Sequence, residues 1–224
     1  MEGTAIVSDA RSRILARLRA AQRTGYVPAV QAVRPAGDGA SNVRTTDASG
    51  STATRHLLAR FLDELTALGV EHHVEPDAEA VRARVRTIVG GDAVFRWHPA
   101  SLPYGVGELF AAATDESSPR EAQAAAACGI TGCDAAIAET GSLALISGRG
   151  KPRAASLLPP THVALVTPDQ LRATMGEFFR ERAAEIAAAA NCTFVTGPSR
   201  TADIELTLTL GVHGPGRVVV IVGP

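Results

Sequence analysis

Three stretches carry residues whose types and spacing could do chemistry. Glu139-Thr140-Gly141-Ser142 places a carboxylate and two hydroxyls around one glycine. A carboxylate held on such a turn can act as a nucleophile or a base. It can equally fix the turn by accepting backbone N–H bonds. Thr140, Gly141 and Ser142 suit anion binding or turn formation under either reading.

The second stretch is Gly197-Pro198-Ser199-Arg200-Thr201-Ala202-Asp203. It follows an expected strand and is expected to open a helix over Thr201 to Leu210. A helix start there would offer free N–H groups and a positive dipole end to an anion. Ser199 and Arg200 would add a hydroxyl and a guanidinium. The plain alternative is capping by Ser199 or Thr201, with Arg200 in solvent. Asp203 and Glu205 are two apart and so point different ways on a helix. Asp203 is a candidate acid–base group, or a structural carboxylate paired with Arg149 or Arg200. The third stretch is His213-Gly214-Pro215, whose imidazole could exchange protons near neutral pH or serve as a hydrogen-bonded loop residue. The expected cleft unites Glu139–Ser142, Ser199–Asp203 and His213.

Other chemistries lack their residues. Cys128 and Cys133 are spaced C-x4-C, which alone makes no zinc ribbon, and three cysteines fall short of an iron–sulfur ligand set. His72 and His73 adjoin on an expected strand and so face opposite ways. No phosphate loop, dinucleotide fingerprint or nucleophile elbow is present. No metal site and no cofactor in this chain are expected.

Helices and strands must position these groups. Residues 1–26 read as a helical arm with an arginine face, residues 27–52 as a flexible linker or lid, and residues 53–224 as one α/β domain. Ala53 to Leu68 carries a broad leucine stripe ended by Gly69. Val70 to Val74 suits a strand, Pro76-Asp77 opens a helix to Ile88, and Ala93 to Trp97 suits a strand. Short helices are expected near Gly107 to Ala113 and Glu121 to Ala127. Leu143 to Ser147 and His162 to Val166 read as two strands joined by a loop with Arg149, Lys151 and Arg153. Thr167-Pro168-Asp169-Gln170 has capping-box form and is expected to start a helix running to about Ala190. Cys192 to Thr196 and Val218 to Val222 complete the strands. The alternation argues an open, mostly parallel sheet flanked by helices.

Composition narrows the function classes. The chain has 224 residues and a formal net charge of -1, so no global field draws it to nucleic acid. Lys151 is its only lysine, among arginines and many alanines, a bias that reads as coding preference. No apolar run spans a membrane and no signal-peptide pattern opens the chain. Few, odd-numbered cysteines suit a reducing compartment. A cytoplasmic protein is expected.

The segments AAIAETGSLAL, SLLPPTHVALV and GPSRTADIELTLTLGVHGP together resemble the LUD family, over about Ile130 to Pro224. The resemblance implies a fold like that of ribose-5-phosphate isomerase, glucosamine-6-phosphate deaminase and CoA-transferases. It implies an accessory, non-redox subunit of an L-lactate oxidation system that works with iron–sulfur partner proteins and binds a small anionic or phosphorylated ligand. Glu139-Thr140-Gly141 is similar to the turn that holds the nucleophilic glutamate of CoA-transferases, with threonine in place of asparagine. The alternative is a small transferase, isomerase or ligase acting on a phosphorylated or CoA-linked carboxylate.

Overall fold

The computed structural model describes Ala16 and residues 49–201, 209–211 and 213–224. The arginine-faced first helix (apart from Ala16), most of the expected 27–52 linker and the candidate Asp203 lie outside these residues. Thr45–Pro224 forms one compact unit.

Helix α1 spans Ser49–Ala67 and so begins inside the stretch expected to be linker. Phe61 and Leu65 on its inner face are buried, with Leu57, Leu58, Leu62 and Leu68 packed beside them. Burying a side chain such as Phe61 contributes about 1.5–3 kcal/mol. Gly69, at φ 70, turns the chain into strand β1, Glu71–Val74. Asp77 caps helix α2, Ala78–Val89, by accepting the Ala80 N–H at 2.8 Å. Val81, Val85 and Val89 recur every four residues and form its buried face. Strand β2 is Val94–Arg96. Helices α3, Val106–Leu109, and α4, Arg120–Ala125, are short.

Strands β3, Cys128–Thr131, and β4, Ala135–Ile137, follow directly. Then come β5, Ser142–Ile146, β6, Thr161–Val166, and the two-residue β7, Leu171–Arg172. Helix α5 spans Met175–Ala188, β8 spans Cys192–Val195, and β9, Arg200–Thr201, pairs antiparallel with β10, Thr209–Leu210. Strand β11 is Arg217–Val222.

The expected α/β architecture is present. A five-stranded parallel sheet has the order β1-β11-β6-β3-β2. Its central strands, THVALV and RVVVIV, are almost wholly buried, as strands covered on both faces must be. A second sheet of four strands, β7-β4-β5-β8, packs its Ala136, Leu143 and Leu145 into the main core. Its other face, Ala135, Ile137, Ala144 and Ile146, is covered by Phe178 of α5.

The strands expected over Leu143 to Ser147 and His162 to Val166 are present as β5 and β6; they belong to different sheets, so the basic loop between them bridges layers. Two expectations require correction. The Thr167 turn opens only a 3-10 turn, Pro168–Gln170. Leu171 then pairs with Ala136 as β7, and α5 begins at Met175 under the Thr174 cap. Sheet pairing of a buried leucine outweighs the local helix signal. Finally, the helix expected over Thr201 to Leu210 is absent at both ends, where the chain is extended in β9 and β10.

Candidate functional site

Glu139 leaves β4 and aims its carboxylate at the start of α5. Its Oε1 accepts the Met175 N–H at 2.7 Å, and its own N–H donates to the Ala173 carbonyl at 3.2 Å. A carboxylate at a helix N-terminus is stabilised by the free N–H groups and the dipole. Gly141 sits at φ +64 against α1, where an added Cβ would lie 3.0 Å from Glu64 Cβ and from Leu68 Cδ1. The hydroxyls point elsewhere. Thr140 Oγ1 donates to Ser142 Oγ at 2.8 Å, and Ser142 Oγ meets Thr196 Oγ1 at 2.8 Å.

That hydroxyl chain joins the first stretch to the other two. The Ser199 N–H donates to the Pro215 carbonyl, and the Gly211 N–H donates to the Ser199 carbonyl, each at 2.9 Å. Thr196, Gly197, Ser199 and His213 line one cavity of about 180 Å³ together with Arg153. Arg200 turns away and donates to the Leu68 carbonyl at 2.5 Å, capping the end of α1. Since Arg200 and Thr201 are in a strand, the anion-holding helix start expected here is not formed. A guanidinium, an imidazole and hydroxyls remain around the cavity in its place.

The carboxyl ends of the parallel strands carry a second group of polar side chains. In open α/β sheets this edge is where ligands bind. Three places where the chain passes between the two sheets meet there: Cys133-Asp134 after β3, Gly150-Lys151 before β6, and Asp169-Gln170 after β6. Gln170 Nε2 donates to the Cys133 carbonyl at 2.7 Å, and Gln170 Oε1 accepts the Thr167 N–H at 2.9 Å. Lys151 Nζ donates to Asp134 Oδ1 at 2.7 Å, while Asp134 Oδ2 accepts the Ile146 N–H at 2.7 Å. Asp134 is 8% exposed, so its charge depends on these partners. The ammonium also stands 5.2 Å from the Trp97 ring centroid, within cation–π range. Trp97 is itself held by an Nε1–H bond to the Pro152 carbonyl at 3.3 Å.

Two cavities open beside this lysine. One, of about 450 Å³, is lined by Ser101, Asp134, Lys151, Asp169, Gln170 and Arg182. The other, of about 540 Å³, is lined by Ser101, His98, Glu116 and Arg149 among others. In the larger one, Glu116 Oε2 accepts the Gly150 N–H at 2.9 Å, and Asp115 accepts bonds from Ser117 and Ser118 that hold its carboxyl below the usual carboxylate range. Asp115 therefore braces its own loop, and Glu116 ties that loop to the turn at Gly150.

Nothing in the local sequence around Asp134 or Ser101 marks them, and Gln170 is marked only as the glutamine of the Thr167 capping box. Lys151 did carry a signal, as the lone lysine in a chain that otherwise uses arginine. A compact ammonium fits over one indole and beside one carboxylate, where a planar fork would need a second acceptor.

Two further groups are buried among the strands. His162 is fully buried on β6, with Nε2 at 2.8 Å from Thr131 Oγ1 and Nδ1 unpartnered. Burial lowers its pKa to about 4. Burial likewise pushes the Cys128 thiol up to about 12 and the Cys133 thiol higher still. Among the described residues, no group of three or more His, Cys, Asp or Glu could hold a metal ion, and no helix is long and apolar enough to cross a membrane.

Comparison with known proteins gives a family and a fold. The family model described as the LUD domain matches residues 58–222. A lactate utilization protein C from Halalkalibacterium halodurans is 43% identical over 98 residues, covering 42% of this chain and 43% of that protein. Its namesake from Bacillus subtilis is 30% identical over 161 residues, covering 64% of this chain and 67% of that protein. The matched part spans about half, or less, of the first of these curated relatives. Among solved structures, a DUF162 family protein from Deinococcus radiodurans superposes with a TM-score of 0.61 at 24% identity, covering 76% of this chain and 98% of that one. At that identity the likeness speaks to the fold.

Proposed function

Because the chain belongs to the LUD domain family, we propose that it is an accessory, non-redox component of an L-lactate utilisation system, working with iron–sulfur partner proteins. The observation that carries this reading is the run of similar proteins named lactate utilization protein C. The cavity of Ser199, His213 and Arg153 would hold a small anion or a phosphorylated ligand. Support for that ligand is chemical: among the described residues, a guanidinium, an imidazole and hydroxyls line the cavity with no carboxylate beside them. Electron transfer falls to the partners in this reading. Cys128 and Cys133 are buried with their thiols held neutral, whereas cluster ligands are thiolates.

The test is genetic and biochemical together. Deleting the gene should abolish growth on L-lactate, and the tagged full chain should retain iron–sulfur proteins on purification. Restoring the chain with Ser199→Ala and His213→Ala should rescue growth poorly while preserving the fold. Intact lactate growth after deletion, with no iron–sulfur partner retained, refutes the assignment.

A further inference from the structure

The four-stranded sheet ends on β8, and the Ser199 cavity runs along that strand. We infer that the edge of β8 is the docking site for an extended acidic segment of a partner protein. The segment adds as a fifth strand and places a carboxylate at Arg153 and His213. This docking rests on the anion cavity proposed above, and the anion it supplies is a side chain, not a free solute.

Strand pairing fixes the direction of the edge groups. The Ala144 carbonyl accepts the Asp134 N–H at 2.8 Å, so Ala144 faces β4. Leu143 and Leu145 alternate with it and face β8, opposite Val195 and Thr193. Cys192 and Phe194 therefore turn their N–H and C=O groups outward, and among the described residues none bonds to them. Other sheet edges are blunted. Thr114 covers β2, where the Arg96 N–H donates to its carbonyl at 3.0 Å. Strand β1 carries Glu71 paired with Arg217, and β7 has only two residues, one of them Arg172. Strand β8 has no charge, no proline and an unbroken register.

The groove selects its occupant. Thr193, Phe194 and Val195 line the cavity and no β5 residue does, so it opens on the outer edge of β8. Leu157 and Gly214-Pro215 form the facing wall. Its volume of about 180 Å³ is below the roughly 300–1,000 Å³ of small-molecule pockets, which suits a slender chain. In a symmetric pair of β8 edges the Leu157 wall of each copy would stand against the other, which disfavours a second copy. An added strand alternates its side chains between two faces. On one face stand Phe194 and Phe179, with ring centroids 5.6 Å apart and Phe179 43% exposed. On the other stands Arg153, exposed and near Thr193. His213 is exposed at the same cavity, and no described lining residue is a carboxylate. A segment that satisfies both faces alternates apolar and acidic residues. Main-chain bonds give such docking its affinity, and the two faces give it specificity.

Anisotropy titration of the full chain with a labelled, capped eight-residue peptide alternating valine and glutamate tests the docking. Saturable binding is expected, about tenfold weaker when lysine replaces glutamate, the value of one charge-assisted hydrogen bond. Arg153→Glu, a surface change, should reverse that preference, which loss of a merely structural arginine would not do. N-methylation of one alternate set of peptide residues should abolish binding, and of the other set should leave it, because only one set turns its N–H groups to β8. If Arg153→Glu does not fold, the two methylated peptides decide alone. Equal binding of those two peptides, an unreversed preference in Arg153→Glu, or no saturable binding overturns the docking. A stable dimer of the free chain that excludes the peptide overturns it in favour of a second copy. Inorganic phosphate is the second probe. Phosphate binding without peptide binding keeps the small-anion reading and sinks the docking; peptide binding without phosphate binding does the reverse.

Discussion

Replacing Lys151 with Met isolates the charge of the Lys151–Asp134 pair, because methionine keeps an unbranched stem over Trp97 and loses the ammonium. Asp134 is 8% exposed and would retain one hydrogen bond, from the Ile146 N–H at 2.7 Å. Breaking a fully buried pair costs about 3–5 kcal/mol. The Lys151 side chain is 30% exposed, so water can reach the open side of the carboxylate and the cost falls to about 2–3 kcal/mol. For a chain of this length that corresponds to a loss of about 5–10 °C in melting temperature. Asp134→Asn should cost about 1 kcal/mol, since the amide oxygen can still accept the Ile146 N–H and the ammonium can turn to water. The double variant should be more stable than the sum of the singles implies, with a coupling of about 1–2 kcal/mol. Urea denaturation of all four proteins at pH 7.5 measures this. A Lys151→Met cost below about 0.5 kcal/mol, the level of a neutral surface change, or additive singles would refute the claim that the carboxylate depends on the lysine.

Three other perturbations probe the frame around the sites. His162 has its pKa lowered to about 4, from an ordinary 6.5, so the unfolded chain binds the extra proton first as pH falls. Stability should be unaffected by this group above pH 6.5 and decline as pH drops from 6.5 toward 4, by up to about 3 kcal/mol. His162→Gln should show a shallower decline between pH 6.5 and 5 in urea midpoints; an unchanged slope counts against it. Gly129→Ala would place a Cβ 1.8 Å from the Ala155 carbonyl oxygen, so a loss of about 3 kcal/mol or more is expected. Gly148→Ala, with nothing within 4 Å of the added Cβ, is the control in the same melting assay. Glu139→Ala removes the acceptor for the Met175 N–H and should cost about 1 kcal/mol. An effect on ligand binding without that stability loss would return Glu139 to a direct role.

The helices and parallel strands were legible because their signals are local and agree with one another. Asp77 before a valine repeat, and unbroken apolar runs at THVALV and RVVVIV, each admit one simple reading. Pairing partners were less legible. Leu143-Ala144-Leu145-Ile146 is apolar on both faces, as a strand of either sheet would be, because the main core covers one side and α5 the other. The helix expected from Thr201 fails at its two described ends, and the sequence carries a contrary signal: Ile204, Leu206, Leu208 and Leu210 alternate with polar residues, which is strand spacing. The union of Ser199 with His213 could be anticipated, since they are only 14 residues apart in the chain. The union of Asp134 with Lys151 could not, because it depends on where the chain leaves one sheet for the other.

That dependence explains why polar groups gather beside Lys151. A strand passing from one sheet to another breaks its ladder, and the freed backbone groups need partners. The Ile146 N–H finds Asp134, the Cys133 carbonyl finds Gln170, and the Gly150 N–H finds Glu116. Each repair draws a polar side chain to the carboxyl edge of the parallel sheet. Asp134 is the costliest, since a buried carboxylate requires a cation. Structural demand accounts for the ammonium beside Asp134. Taking the charge from one side alone leaves the other without its partner, so positions 134 and 151 answer together to one demand of the sheet-to-sheet crossing.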